Sequence, residues 1–88
     1  MFHVLLVDDE LSVTDALQCS INWGALGLTV SAVAQSGEQA LACIESTPID
    51  IVITDIRMAN IDGLSLCQRI SKMERSIQTI IISGFDEF

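Results

Sequence analysis

Short apolar runs recur along the chain and alternate with amphipathic segments. Residues 3–7, 50–54 and 77–83 are rich in β-branched or large aliphatic side chains, and the first two runs lead directly into acidic residues. Such runs predict strands that are buried on both faces, as in a parallel sheet. Residues 28–34 alternate more evenly between apolar and polar positions, which predicts an outer strand.

Helical spacing fills the intervals between the predicted strands. Apolar residues recur every three or four positions in three segments, marked by Val13, Leu17 and Ile21, by Ala40, Leu41 and Ile44, and by Leu64, Leu66, Cys67 and Ile70. Pro48 limits the second helix, because the residue before a proline is disfavoured in helical conformation. The predicted order is therefore βαβαβαβ. This order favours right-handed crossovers and a parallel sheet with helices on both faces.

Size and charge restrict the function. The chain has 88 residues, so we predict a single domain with a modest core. It carries 12 Asp and Glu against 4 Lys and Arg. Nucleic-acid binding draws most of its affinity from neutralised phosphates, so an acidic segment like this one is not expected to contact nucleic acid directly. The apolar runs fall short of the roughly 20 residues that a membrane span needs, which predicts no membrane contact. The N-terminus lacks a basic flank followed by a long apolar stretch, so we predict no signal peptide and expect a cytoplasmic location.

Three cysteines, Cys19, Cys43 and Cys67, lie within the predicted helices. An odd number without a C-x-x-C spacing indicates neither a disulfide framework nor a zinc site. We expect them to be small buried apolar residues in a reducing compartment. His3 begins the first strand without a visible partner, and we interpret it as structural.

Acidic residues follow two of the predicted strands. Asp8 and Asp9 come directly after the first, and Asp55 follows the run 50–54. Ligands of an open parallel sheet bind beyond the carboxyl ends of its strands, where the strand order reverses. If these two strands are neighbours, about 4.8 Å apart, three carboxylates converge. Their repulsion would raise at least one pKa unless a cation neutralised them.

Mg²⁺ suits such a site, because it takes oxygen ligands and shares a phosphate with the protein. Asp55 is then placed to act as a nucleophile towards phosphorus. The alternative is that Asp8 and Asp9 cap the first helix and that Asp55 starts a turn.

The motifs around these residues resemble the receiver domains of two-component response regulators. They are Leu-Val-Asp-Asp-Glu at 6–10, Ile-Thr-Asp-Ile-Arg-Met at 53–58, Asp-Gly at 62–63 and Ile-Ser-Gly at 82–84. The resemblance implies a flavodoxin-like three-layer α/β fold with a parallel sheet in the order 2-1-3-4-5. It also implies a switch that receives a phosphoryl group from a sensor histidine kinase.

The resemblance assigns a role to each site residue. Asp55 is the phosphoacceptor. Asp9 and Asp55 ligate Mg²⁺ directly, Asp8 acts through a water molecule, and Arg57 contributes its backbone carbonyl. Ser83 matches the hydroxyl residue that hydrogen-bonds the phosphate and senses its presence.

Two further stretches, 22–28 and 83–88, resemble receivers that are fused to AraC-type helix-turn-helix transcription factors. The resemblance implies an attached DNA-binding domain outside this chain. Trp23, in the first stretch, is alternatively an ordinary packing residue at the end of a helix.

The chain departs from the family pattern at two places. Ala59 stands where many relatives have Pro, which leaves the loop freer in the unfolded chain. The family's fourth and fifth helices and fifth strand, with a phosphate-binding lysine, have no counterpart. Residues 1–88 are therefore expected to be the N-terminal part of a receiver, truncated after the fourth strand. The single lysine, Lys72, is expected near the far end of the third helix, about 15 Å from the acidic edge.

Two alternatives remain open. Haloacid-dehalogenase-type enzymes also use an Asp nucleophile with Mg²⁺, but they carry a second Asp where this chain has Arg57, so we expect no turnover of an external substrate. An inactive or truncated receiver could instead act only as a protein-interaction module. Independently of these alternatives, the absence of a counterpart to the fifth strand is expected to leave the segment 77–83, which has no Lys or Pro, at an open edge, where the chain would form a homodimer, exchange segments or aggregate.

Overall fold

The computed structural model describes residues 1–56 and 61–82. The elements in chain order are β1 (Phe2–Val7), α1 (Leu11–Ser20), a 3₁₀ turn (Gly24–Leu26), β2 (Leu28–Ala34), α2 (Gly37–Ser46), β3 (Ile51–Asp55), α3 (Gly63–Ser71) and β4 (Gln78–Ile82). The predicted order is confirmed, with strand ends shifted by one residue. The predictions for Arg57, Ala59, Ser83 and residues 84–88 lie outside the described residues.

The four strands form one parallel sheet in the order β2-β1-β3-β4. The prediction of a flavodoxin-like fold with β2 at an edge is confirmed. The chain runs outward from β1 to β2 and then returns past β1 to β3, so the strand order reverses between β1 and β3. Val7 pairs with Thr54 across that boundary, which brings the carboxyl ends of both strands to the same edge. A ligand site is expected there.

One face of the sheet is covered by α2 and α3. The buried core on this face contains Leu5 and Val7 of β1, Val52 of β3, Ala40 and Ile44 of α2, and Leu66 and Ile70 of α3. The buried helical residues lie four positions apart, which is the spacing of one helix face. The amphipathic patterns read from the sequence therefore identified the inner faces of these two helices.

The opposite face carries α1, because the crossover from β1 to β2 runs in the reverse direction and is right-handed like the others. Thr14 is the only buried residue of this fully described helix. On the same face, by strand alternation, Phe2, Ile80 and Ile82 are 61%, 49% and 39% exposed. Within the described residues this face is therefore less completely covered than the other.

The prediction that the three cysteines are buried was wrong. The cysteines do lie in the three helices, but Cys19 is exposed and Cys43 and Cys67 are half-buried, because they lie beside or opposite the buried helix faces. His3 does have partners. Its Nδ1 lies 2.7 Å from the Ser31 hydroxyl, and its backbone N–H donates to the Asp50 carboxylate at 2.7 Å. These bonds tie β1 to β2 and to the segment before β3, in keeping with a structural role.

None of the helices in the described part of the chain has the length and apolar content needed to cross a membrane. The longest helices have only 10 residues.

Candidate functional site

Three carboxylates meet at the edge where β1 and β3 end. Asp8 and Asp9 follow β1, and Asp55 is the last residue of β3. One oxygen from each side chain lies within 4.8 Å of the others. The convergence expected from the sequence is therefore present, since β1 and β3 are adjacent and end in register.

Asp8 is the most enclosed of the three, with 6% of its surface exposed. Its carboxylate accepts a hydrogen bond from the backbone N–H of Glu10 at 3.0 Å, and its own N–H donates to the Ala34 carbonyl at 3.1 Å. Burial raises the pKa of Asp8, and the neighbouring Asp55 and Asp9 raise it further, against the lowering effect of the Glu10 amide. The site therefore favours an added positive charge.

The bond from Glu10 also bears on the alternative role of Asp8. Glu10 is the N-cap residue of α1, and its side chain makes no capping hydrogen bond. Asp8 supports the turn before the helix by accepting the Glu10 amide, a local role that aspartate often has. This structural role coexists with the position of Asp8 beside the other two carboxylates.

Asp55 is half-buried and held by its own strand end. The Ile56 N–H donates to the Asp55 carboxylate at 2.8 Å. The hydroxyl of Thr54, which is buried, donates to the Asp55 carbonyl at 3.0 Å. Both the side chain and the backbone of Asp55 are thus given a defined orientation.

The start of α3 packs against the same strand end. Asp62 caps the helix, since its carboxylate accepts from the Ser65 N–H at 2.7 Å. The Gly63 N–H donates to the Ile56 carbonyl at 3.0 Å. A Cβ atom on Gly63 would lie 2.3 Å from the carbonyl oxygen of Asp55. The Asp-Gly pair was noticed in the sequence as a family motif, but its contact with Asp55 was not.

The remaining predicted site residues are distributed as follows. Asp9 is exposed at the rim of the acidic cluster. Arg57 and Ser83 lie outside the described residues. Lys72 is the exposed C-cap residue of α3, whose other end adjoins Asp55, so it is separated from the cluster by the length of the helix.

The donor set fits a hard divalent cation. Carboxylate oxygens are preferred ligands of Mg²⁺, and the ion would offset the mutual repulsion of Asp8, Asp9 and Asp55. The observation that favours such an ion is the convergence of three carboxylate oxygens within 4.8 Å, with Asp8 buried among them.

Comparison with known proteins defines the family. Residues 4–88 match the response regulator receiver domain. The chain belongs to this family. Proteins of the family are components of two-component regulatory systems, and receiver domains bind Mg²⁺ at an acidic pocket of the kind found here.

The similar proteins include transcriptional regulators. The receiver is 40% identical to the transcriptional regulatory protein YesN of Bacillus subtilis. The match covers all 88 residues of this chain and 24% of YesN. It matches the REC domain of AraT, a response regulator of Geobacillus stearothermophilus, with 32% identity, a TM-score of 0.90 and coverage of 99% of this chain and 67% of that one. It also matches a two-component transcriptional regulator AraC from Clostridium phytofermentans, with 31% identity and a TM-score of 0.84. That match covers 99% of this chain and 67% of the other. The chain thus spans about a quarter of the length of YesN.

Proposed function

We propose that this receiver is a phosphoacceptor switch in which Asp55 takes a phosphoryl group from a sensor histidine kinase. The observation that carries the proposal is the meeting of Asp8, Asp9 and Asp55 within 4.8 Å at the edge where the strand order reverses. Three carboxylates in a shared, partly buried site are costly unless the site holds a cation and serves a chemical purpose.

The transfer is a nucleophilic displacement at phosphorus. A carboxylate oxygen of Asp55 forms a bond to phosphorus while the bond from phosphorus to the donor atom breaks. The donor keeps the electron pair, and a histidine donor becomes a neutral imidazole by taking up a proton from solvent. The Ile56 N–H holds the attacking carboxylate in a fixed direction before the reaction, which removes part of the entropic cost.

In this proposal Asp9 and Asp55 would be direct ligands of the metal, Asp8 would act through a water molecule, and Arg57 would contribute its backbone carbonyl. When bound, Mg²⁺ would offset negative charge on the transferring phosphoryl group. Ser83 follows β4 directly, and β4 ends beside Asp55. Its proposed role is to donate a hydrogen bond to the phosphoryl oxygens and so report phosphorylation.

The parent protein is proposed to regulate transcription through an attached AraC-type DNA-binding domain. Support comes from the segment 22–28 and from the similarity to the regulator AraC of Clostridium phytofermentans. The acidic receiver itself is proposed to make no contact with DNA or membrane, to act in the cytoplasm and to turn over no external substrate.

A second candidate function is a protein-interaction module, with self-association through β4. It is favoured by the exposure of Ile80 and Ile82, which lie on the outermost described strand beyond β3.

Phosphorylation of the full-length parent tests the main proposal. The wild type is incubated with acetyl phosphate and Mg²⁺, beside Asp55→Asn and the control Asp15→Asn, which changes an exposed carboxylate on α1. Intact mass should show one added phosphoryl group in the wild type and in the control, and none in Asp55→Asn. Equal labelling of all three proteins would refute Asp55 as the acceptor.

A further inference from the structure

We infer that Gly63 is a positioning residue for phosphoryl transfer, because it lets the first turn of α3 lie directly against the peptide unit that orients the Asp55 carboxylate. The inference rests on the proposed role of Asp55 as the acceptor. It adds a reason why this particular helix start matters to the chemistry.

The space beside Gly63 is closed by backbone atoms. A Cβ at this position would lie 2.3 Å from the Asp55 carbonyl oxygen, 3.1 Å from its carbonyl carbon and 3.0 Å from the Cα of Ile56. Real Cβ atoms essentially never approach another heavy atom within 3.0 Å. Because the obstacle is main chain, it has no rotamer into which it could retreat. Any side chain at position 63 must displace β3 or α3.

The displaced group is the one that directs the carboxylate. The Asp55 carbonyl and the Ile56 N–H belong to a single planar peptide unit. Gly63 lies against the oxygen of this unit, while the N–H of the same unit donates to the Asp55 carboxylate at 2.8 Å. A rigid unit that is pushed at its oxygen also moves its N–H, so the hydrogen bond that aims the nucleophile shifts with it.

A further bond fixes the contact from the helix side. The Gly63 N–H donates to the Ile56 carbonyl at 3.0 Å, which links the first residue of α3 to the residue that follows β3. Asp62 holds that start in place by capping the helix through the Ser65 N–H. Asp62 and Gly63 thus act on Asp55 only through the backbone, without touching the phosphoryl group.

The chain contains a matched control at the start of α2. Gly37 is also the first residue of its helix, is also buried, and also follows a residue that caps the helix, in this case Ser36. A Cβ on Gly37 would lie 2.5 Å from the Cβ of Ile61. The crowding is comparable, but the nearest atoms belong to Ile61, which precedes the Asp62 cap, and not to Asp55 or Ile56.

The test compares Gly63→Ala with Gly37→Ala in the full-length parent. Phosphorylation by acetyl phosphate is followed over a range of donor concentrations at saturating Mg²⁺, and each rate is corrected for the folded fraction. Gly63→Ala should lower the maximal rate by about 100-fold, the order of loss expected from a displacement of about 1 Å in a reacting group. The donor concentration at half-maximal rate should change much less. Gly37→Ala should lower the rate much less than Gly63→Ala, because its Cβ would meet Ile61 and not the peptide unit that joins Asp55 to Ile56.

A second pair avoids the steric clash, in case Gly63→Ala does not fold. Asp62→Ala and Ser36→Ala each remove one helix cap and loosen one helix start. Only Asp62→Ala should slow the transfer and weaken Mg²⁺ binding, because only α3 adjoins Asp55. The inference would be overturned if, after correction for the folded fraction, the variants of α3 and of α2 lost the same part of the transfer rate. A wild type that takes no phosphoryl group would instead refute the proposed function, and Mg²⁺ binding by the two pairs would still test the positioning of Asp55.

Discussion

Val7 of β1 pairs with Thr54 of β3, and this pairing sets the acidic cluster. The residues that follow Val7 are Asp8 and Asp9, and the residue that follows Thr54 is Asp55. Because parallel strands run in the same direction, carboxylates that come directly after paired residues emerge at one edge. A shift of the register by one residue would turn Asp55 to the other face of the sheet.

Substitution of Asp8 by Asn should stabilise the receiver when no divalent ion is present. Asp8 is buried beside two other carboxylates, so its negative charge destabilises the fold at neutral pH. The Asn side chain can still accept the Glu10 N–H. Urea unfolding at neutral pH, with and without Mg²⁺, measures the effect. Asp8→Asn should be more stable than the wild type without Mg²⁺ and should gain less from its addition.

The exposed Asp15→Asn is the control for this measurement, because it removes the same charge from a side chain of α1 that is not part of the cluster. It should change neither the stability without metal nor the response to Mg²⁺ by a comparable amount. A lower stability of Asp8→Asn in metal-free buffer would contradict the expectation.

The cap residue Asp62 should make α3 sensitive to acid. The Ser65 backbone N–H holds the pKa of Asp62 below its usual value of 3.8. The ionised carboxylate therefore contributes stability that is present above pH 3.8 and is lost as the pH falls through the lower pKa of the folded state. Asn is an equally good cap residue but does not titrate.

Comparison of the wild type with Asp62→Asn isolates this effect. As the pH falls from about 5 to about 3, the wild type should lose more free energy of unfolding than Asp62→Asn. Urea unfolding at a series of pH values measures it. A difference that stays constant over this range would show that the Asp62 charge has no part in capping.

Two leucines of α3 should differ sharply in their contribution to stability. Leu66 is fully buried against the sheet, whereas Leu64 is 53% exposed. Leu66→Ala should cost about 2–5 kcal/mol, because it removes buried methyl groups and leaves a cavity. Leu64→Ala should change the stability by no more than about 0.5 kcal/mol. Thermal or urea unfolding of both variants checks the contrast, and similar losses would mean that the helix faces have been assigned wrongly.

The outer edge of β4 should promote self-association of the 88-residue chain. Within the described residues no strand pairs with this edge, and the side chain of Ile80 in the same strand is 49% exposed. Open edges with apolar side chains invite strand pairing, and a lysine discourages it. Light scattering should therefore show species larger than a monomer for the wild type, and fewer of them for Ile80→Lys.

Leu26→Lys provides the matched control, since Leu26 is 64% exposed in the 3₁₀ turn before β2. It introduces the same charge at an exposed apolar position at the opposite side of the sheet. A monomeric wild type, or equal effects of the two lysines, would argue against association through β4.

The sequence was sufficient to predict the element order and the acidic cluster, but not the contacts that depend on tertiary packing. Runs such as 3–7 and 50–54 predict strands because the pattern of neighbouring residues is enough to indicate one. Asp8 and Asp55 follow those runs directly, so their place at the strand ends can be predicted as well. The bond between His3 and Ser31 joins residues 28 positions apart, so no local pattern indicates it. The same reason applies to Gly63, whose need for space arises only when α3 folds back onto the end of β3.

The exposure of the cysteines shows a further limit. Helical spacing identifies an apolar face, but it does not decide whether a cysteine at the border of that face is buried or exposed. That depends on how the helix packs on the sheet. Cys43 lies next to the buried Ile44 and is only half-buried itself. The rotation of a helix about its axis is decided by the sheet beneath it and not by the residue alone.

The single buried residue of α1 has a consequence for hydrogen exchange. A helix that buries so little side-chain surface opens at a lower free energy than α2 or α3, so its amide protons should exchange with solvent sooner. The carboxylates of Asp8 and Asp9 stand directly before this helix, and the Asp8 carboxylate accepts the N–H of Glu10, its cap residue. A cation held by these carboxylates would therefore slow hydrogen exchange along α1. The deuterium uptake of this one short helix would then report whether a cation is bound by Asp8 and Asp9.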